Sequence, residues 1–337
     1  MRVSYNSVII LIILWIIPTM DNLKEKTTSE NTPSKKKVNI KTILVYSLVG
    51  LSVVGLGVGT GVILKRQFGQ TDIDYTGFDP ERYRMDAKEL LKQYEKNPNK
   101  QFTPAELVNI GLEKYRQCEN CYSIGVGTAK TIVNQTIRNA QIKVGDHYFE
   151  ESISYSSMVS IANRVDQVGE KQDISLNKGK ANGSEDVNYK SDVTTFKADD
   201  YKKTWGKTLD EMFIYIISNE TVIESGTKVE KNENQIKVSL SLDTDISTYY
   251  YKLQMKEISK LDKLPVFDSL HHTYIFSKNM DLEYCLVDEQ YKAQMGVTAN
   301  IHNKIEYYYH PNTVIDIPKE NETIDYSIEG ENHYEQD

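Results

Sequence analysis

Tyr122–Val133 (YSIGVGTAKTIV), Gln135–Lys143 (QTIRNAQIK) and Tyr148–Ser157 (YFEESISYSS) decide the fold. In each, apolar and polar residues alternate, the spacing that sends successive side chains to opposite faces of a strand. Val144–Gly145–Asp146 is a turn signal between the second and third. The three segments read as successive antiparallel strands.

Outward from them the pattern changes. Upstream, Thr103–Pro104–Ala105–Glu106 has a Thr N-cap, Pro in the first turn and an acid behind it, which starts a helix. Leu107, Ile110, Leu112 and Tyr115 give that helix an apolar side, and it ends near Cys118. Glu81–Glu95 carries Tyr83, Ala87, Leu90, Leu91 and Tyr94 at helical spacing until Asn97–Pro98–Asn99 breaks it. Downstream, Val159–Gln167, Gln172–Leu176 and Tyr189–Phe196 read as strands, with Asn177–Asn188 as a loop. A short helix is expected from Thr208 to Ile217. Val222–Lys231 and Asn234–Leu242 form a hairpin, and Ile246–Ile258 a helix capped by Asp245. Val266–Phe276, Leu282–Gln290 and Val297–Tyr309 make a final meander. Helices first, then many strands with short helices inserted, is an α+β pattern.

Thr42–Leu64 (TILVYSLVGLSVVGLGVGTGVIL) holds 23 residues without a charge. As a helix it would span about 34 Å, enough for a bilayer core of about 30 Å. Lys24, Lys26, Lys35, Lys36, Lys37 and Lys41 precede it, and only Lys65 and Arg66 follow closely. The positive-inside rule then places residues 1–41 in the cytoplasm and the main domain outside, as a single-pass membrane protein. Val8–Ile17 is apolar but short and ends at Pro18, so it is read as no second span. Met20 is an alternative start that gives an ordinary cytoplasmic lead. Gly55–Gly59 and Gly57–Gly61 are small-xxx-small pairs that would let two such helices pack as a homodimer. Residues 65–80 read as a linker, 81–310 as the extracytoplasmic domain and 311–337 as an acidic flexible tail.

The formal charge is −8. The excess lies after Arg66, where 31 basic residues face 45 acidic ones. An acidic domain has no basic face for phosphates, which excludes nucleic acid as a partner. Three cysteines are too few for a disulfide-built scaffold.

The candidate chemistry is sparse. Cys118-Glu-Asn-Cys121 is the sharpest motif, and a local disulfide is expected. The pair follows a helix C-terminus, whereas a reactive thiolate wants the N-terminus. No second C-x-x-C completes a zinc site. His271 and His272 are adjacent on a strand and point to opposite faces, so they cannot share a metal. Gly125-Val-Gly127-Thr128-Ala129-Lys130 is only a weak match to a phosphate loop and lies within a strand pattern. Tyr249–Tyr251 and Tyr307–Tyr309 have two readings, the lining of a ligand cleft for an amphiphile or glycan and ordinary sheet and helix surface, of which the second is preferred. No catalytic, cofactor or metal residue is assigned, and the chain is not read as an enzyme.

The order of pieces resembles a known superfamily. A helix is followed by Cys121–Asn134 (CYSIGVGTAKTIVN) and Gln135–Ser157 (QTIRNAQIKVGDHYFEESISYSS), and later by Lys237–Val297. That last stretch includes Leu240-Ser-Leu242-Asp243 stepping to Tyr249-Tyr250, then a Pro265-Val-Phe267 strand. Over about residues 104–310 this is similar to the lipoprotein-carrier superfamily of LolA, LppX and RseB type. The resemblance implies a curved antiparallel β-sheet, an open half-barrel with helices on one face. It also implies an acyl chain or lipoprotein as ligand, and no enzymatic activity. An anchored chain could not shuttle, so a stationary cell-envelope module that binds a lipid, lipidated protein or hydrophobic ligand is expected. An envelope interaction or scaffold protein without a small ligand is the alternative.

Overall fold

A computed structural model describes residues 75–131, 133–157, 160–170, 172–181, 187–205, 207–209, 211–259, 263–292, 298–309, 317–319, 322, 324 and 326. All of these fall in one compact unit of the chain, Ile40–Asp337.

Eleven strands form one sheet in which every neighbouring pair is antiparallel. Six make a first meander: β1 (Asn120–Lys130), β2 (Asn134–Val144), β3 (His147–Tyr155), β4 (Ser160–Val168), β5 (Ile174–Ala181) and β6 (Val187–Phe196). Five make a second: β7 (Val222–Lys231), β8 (Gln235–Leu242), β9 (Val266–Ser277), β10 (Leu282–Lys292) and β11 (Thr298–Tyr309). The halves join in the middle, where β1 pairs with β11 from Cys121 opposite Tyr309 to Lys130 opposite Asn300. Gly145, at φ 61°, closes the tight turn between β2 and β3, a backbone region that glycine enters without steric cost.

The helices are α1 (Ala87–Lys96), α2 (Pro104–Arg116), α3 (Ala198–Trp205) and α4 (Tyr249–Ser259). The start of α2 forms a full capping box: Glu106 N–H donates to Thr103 Oγ1 at 3.2 Å, and Thr103 N–H donates to Glu106 Oε2 at 2.7 Å. Leu107, Val108 and Ile110 of α2 pack on Val238, Leu240, Tyr274 and Leu282. Tyr251 and Met255 of α4 pack on Phe267, Tyr291, Ala299 and Ile301, and Tyr201 of α3 packs on Tyr148, Val165 and Leu176. The strand registers put these partners on one face of the sheet. The opposite face of the first meander carries a separate cluster, Ile124, Ala140, Ile153, Ala162 and Tyr189.

The expected α+β class with an N-terminal transmembrane helix is corrected. The described chain is mostly antiparallel sheet with few helices: the segments read as strands join one eleven-stranded ladder, and the Thr208–Ile217 segment adds no helix. Strand β5 continues to Ala181, through part of the expected 177–188 loop. No helix among the described residues is long and apolar enough to cross a membrane, so the expected span is not supported. Residues 42–64, with Gly55, Gly57, Gly59 and Gly61, lie outside the described residues.

Three smaller departures have local causes. Asp79 and Pro80 start a separate 3-10 turn at Pro80–Tyr83, and Asp86 caps α1 afresh by accepting from Glu89 N–H at 3.0 Å. The expected Thr208–Ile217 helix is absent. Met212 sits at φ 54°, outside right-handed helix, and the segment is held by side chains instead. Of the tail expected to be loose from residue 311, the described residues 317–319, 322, 324 and 326 include contacts with the sheet. Tyr326 is buried on the opposite-face cluster and its hydroxyl donates to Glu151 Oε1 at 2.6 Å. Arg164 ties Glu151 there and also donates to the carbonyls of Lys319, at 2.8 Å, and Glu322.

Candidate functional site

A cavity of about 150 Å³ lies between the helix-bearing face of the central strands and a cover made by Met212–Tyr215 and α4. Such a volume matches that of an engineered cavity, about 150 Å³, that binds benzene. Its walls are apolar: Met212, Phe213 and Ile214 from the cover, and Val287, Ile301, Ile305 and Tyr307 from β10 and β11.

The Met212–Tyr215 part of the cover has no regular secondary structure and is fixed by polar ties. Gln141 Nε2 donates to the Met212 carbonyl and to Glu150 Oε1, each at 3.0 Å. Lys207 Nζ donates to the same carboxylate at 2.6 Å, with both residues almost fully buried. Tyr215 donates its hydroxyl to Glu289 Oε1, and Ile216 N–H donates to the Ser247 carbonyl at 3.0 Å. A buried pair of this kind contributes little net stability when intact, yet removing one partner leaves a costly unpaired charge.

The floor is polar. Asn139 on β2, Ser152 on β3 and Asn303 on β11 border the cavity, as do Tyr251 and Gln254 of α4 and His272 of β9. Each has a buried polar atom without a hydrogen-bond partner in the protein. An unmet buried donor or acceptor costs about 1–3 kcal/mol. Native chains leave few of them bare. Strand β1 makes room between the two asparagines by having no side chain there. A Cβ on Gly125 would come within 2.9 Å of the Asn139 side chain, and one on Gly127 within 2.7 Å of Asn303 Oδ1. Glycine inside a strand often marks such a close approach.

Charge in and beside the cavity is neutralised. Burial, reinforced by His271, pushes His272 down to about 3, so its ring is neutral at ordinary pH. His272 Nδ1 bonds the Tyr274 hydroxyl at 3.0 Å, and Tyr215 stands edge-on to its ring with centroids 4.6 Å apart. Burial raises the Glu150 carboxyl, against the pull of Lys207. Burial likewise pushes Glu289 up to about 7, despite the Tyr215 hydrogen bond.

Cys118 and Cys121 are buried free thiols away from the cavity, and the expected bridge between them is not formed. Cys118 Sγ donates to the Asn120 carbonyl at 3.1 Å, and Cys121 belongs to the main core. Burial, with Cys118 adding to it, pushes the Cys121 thiol up to about 12. Cys285, in β10, borders the cavity. Of the tyrosine runs, read as plain surface, Tyr251 and Tyr307 face the cavity and are buried. The signal that could have found them was the Gly125/Gly127 pair, set aside as a weak phosphate loop. Both glycines stand on the cavity-facing side of β1, in register with Asn139 and Asn303. Among the described residues no group of three or more His, Cys, Asp or Glu side chains is placed to hold a metal ion.

No family model matches this chain, and no curated protein is similar to it. Among solved structures, it is similar to a LolA superfamily protein from Nitrosomonas europaea. The identity is 10%, the match covers 65% of this chain and 98% of that one, and the TM-score is 0.21. This is the superfamily that the sequence resembles, at a superposition too loose to transfer any residue's role.

Proposed function

We propose that this chain is a binding module that receives a hydrophobic ligand, or the acyl part of a lipid or lipidated protein, between its sheet and the Met212–Tyr215 cover. The observation that carries the reading is the cavity itself, walled by Phe213, Ile214, Val287, Ile301 and Ile305. Ligand sites are typically concave, mostly apolar and furnished with a few placed polar groups. In the form described, the cavity seats a ring-sized group, and a longer chain would have to displace Met212–Ile214. That segment is suited to moving, because its hold is a handful of side-chain ties and not a helical ladder. The reading is of binding and not catalysis.

The test is a fluorescence titration of the full chain with N-phenyl-1-naphthylamine, a neutral apolar probe. A single saturable site is expected, with blue-shifted emission. Linear, unsaturable enhancement, or none, would count against the reading.

A further inference from the structure

The apolar walls do not account for the floor of the cavity. Six residues that border it, four on the sheet and two on α4, each carry a buried side-chain atom with no hydrogen-bond partner in the protein: Asn139 Oδ1, Ser152 Oγ, Tyr251 OH, Gln254 Nε2, His272 Nε2 and Asn303 Oδ1. Ser152, Tyr251, Gln254 and His272 are each no more than 2% exposed. The six come from β2, β3, β9, β11 and α4. No single turn or cap therefore explains them; only the assembled sheet and its cover bring them together.

Their chemistry is selective. Two are amide oxygens that only accept, one is an amide nitrogen that only donates, and two are hydroxyls that do both. The sixth is an imidazole nitrogen on a ring that burial holds neutral. The charged groups bordering the cavity are engaged: Lys207 with Glu150, and Glu151 with Arg164. A phosphate or carboxylate entering here would meet two acceptor oxygens and no free cation, its donors being only the neutral Gln254 amide, the two hydroxyls and the His272 ring. A hydroxyl or an amide can donate to Asn139 and Asn303 and accept from Gln254 at once.

We propose that the floor is the site for the uncharged, hydroxyl- or amide-bearing head of an amphiphile, of the glycerol-ester kind. Its hydrocarbon lies against Phe213, Ile214, Ile301 and Ile305. This rests on the binding reading above and names its ligand class. About 150 Å³ seats a group of roughly six heavy atoms such as a glycerol, so the hydrocarbon behind it enters only as Met212–Ile214 moves aside.

The full chain is titrated calorimetrically with 1-decanoylglycerol and with decanoate, both below their aggregation concentrations at neutral pH. The glycerol ester is expected to bind at least about tenfold more tightly, about 1.4 kcal/mol. Asn303→Leu and Asn139→Leu should each bring that preference close to unity. Decanoate binding as tightly as the ester overturns the inference, and so does a preference that survives both substitutions. Should either variant fail to fold, the wild-type comparison alone decides. Naphthylamine binding without ester preference removes this inference and leaves the binding reading standing. Binding of neither, with water as the only occupant, removes both.

Discussion

Glu289 is buried at 3% exposure, accepts from the Tyr215 hydroxyl through Oε1, and has no partner for Oε2. Burial pushes its carboxyl from an ordinary 4.5 up to about 7. Between those values the folded chain holds a proton that the unfolded chain has released. Stability from this group is therefore complete below pH 4.5, falls as pH rises, and is lost above pH 7. At about 1.4 kcal/mol per pH unit the loss comes to about 3 kcal/mol. Glu289→Gln keeps an acceptor for Tyr215 and cannot ionise. His272 works the other way, since a base pushed down to about 3 makes the fold gain stability as pH rises towards 6.5. Subtracting wild type from variant cancels that contribution. Urea denaturation from pH 4.5 to pH 8 should show the two chains nearly equal at the acid end. The glutamine variant should be about 3 kcal/mol more stable at the alkaline end. A difference that stays constant across the range would refute the buried, proton-holding carboxyl.

Gly111→Ala should destabilise the fold by about 1–3 kcal/mol in thermal melts, although alanine is the better helix former by about 1 kcal/mol. The new Cβ would stand 2.1 Å from Cε1 of Phe276, which is fully buried, so packing outweighs propensity. Tyr326→Phe should cost about 1–3 kcal/mol in urea, because Glu151 loses a hydrogen bond that satisfies a buried charge. An unchanged midpoint would mean that the C-terminal segment adds nothing to the sheet. All three thiols should be unreactive to a disulfide-exchange reagent in the native chain and titrate as three after unfolding, since burial lifts Cys121 to about 12 and raises Cys285 further. A count of one after non-reducing unfolding would establish a Cys118–Cys121 bridge.

What could be read in the sequence was whatever local chemistry dictates. Thr103, Pro104 and Glu106 announce α2 because caps act within one turn, and Gly145–Asp146 sets the β2–β3 register for the same reason. Two things were not legible. The Met212–Tyr215 cover carries helix-like spacing, but Met212 leaves the right-handed helical region and Gln141 and Glu289 tie the segment from strands far away in sequence. The tail is acidic and poor in apolar residues, which reads as loose. Only the fold shows that Arg164 and Glu151 await its carbonyls and Tyr326 on the face away from the helices. The cavity was hidden likewise, since Asn139, His272 and Asn303 are ordinary strand residues until registers set them around Gly125 and Gly127.

The central claim, that an apolar ligand lies between sheet and cover, is tested most directly by photolabelling the full chain with a diazirine-bearing decanol and mapping the adducts by peptide mass spectrometry. Adducts concentrated in residues 212–215, 251–254 and 301–307, and suppressed by excess unlabelled decanol, are the predicted result. Labelling spread over the surface, or confined to the face covered by Tyr326, would contradict it.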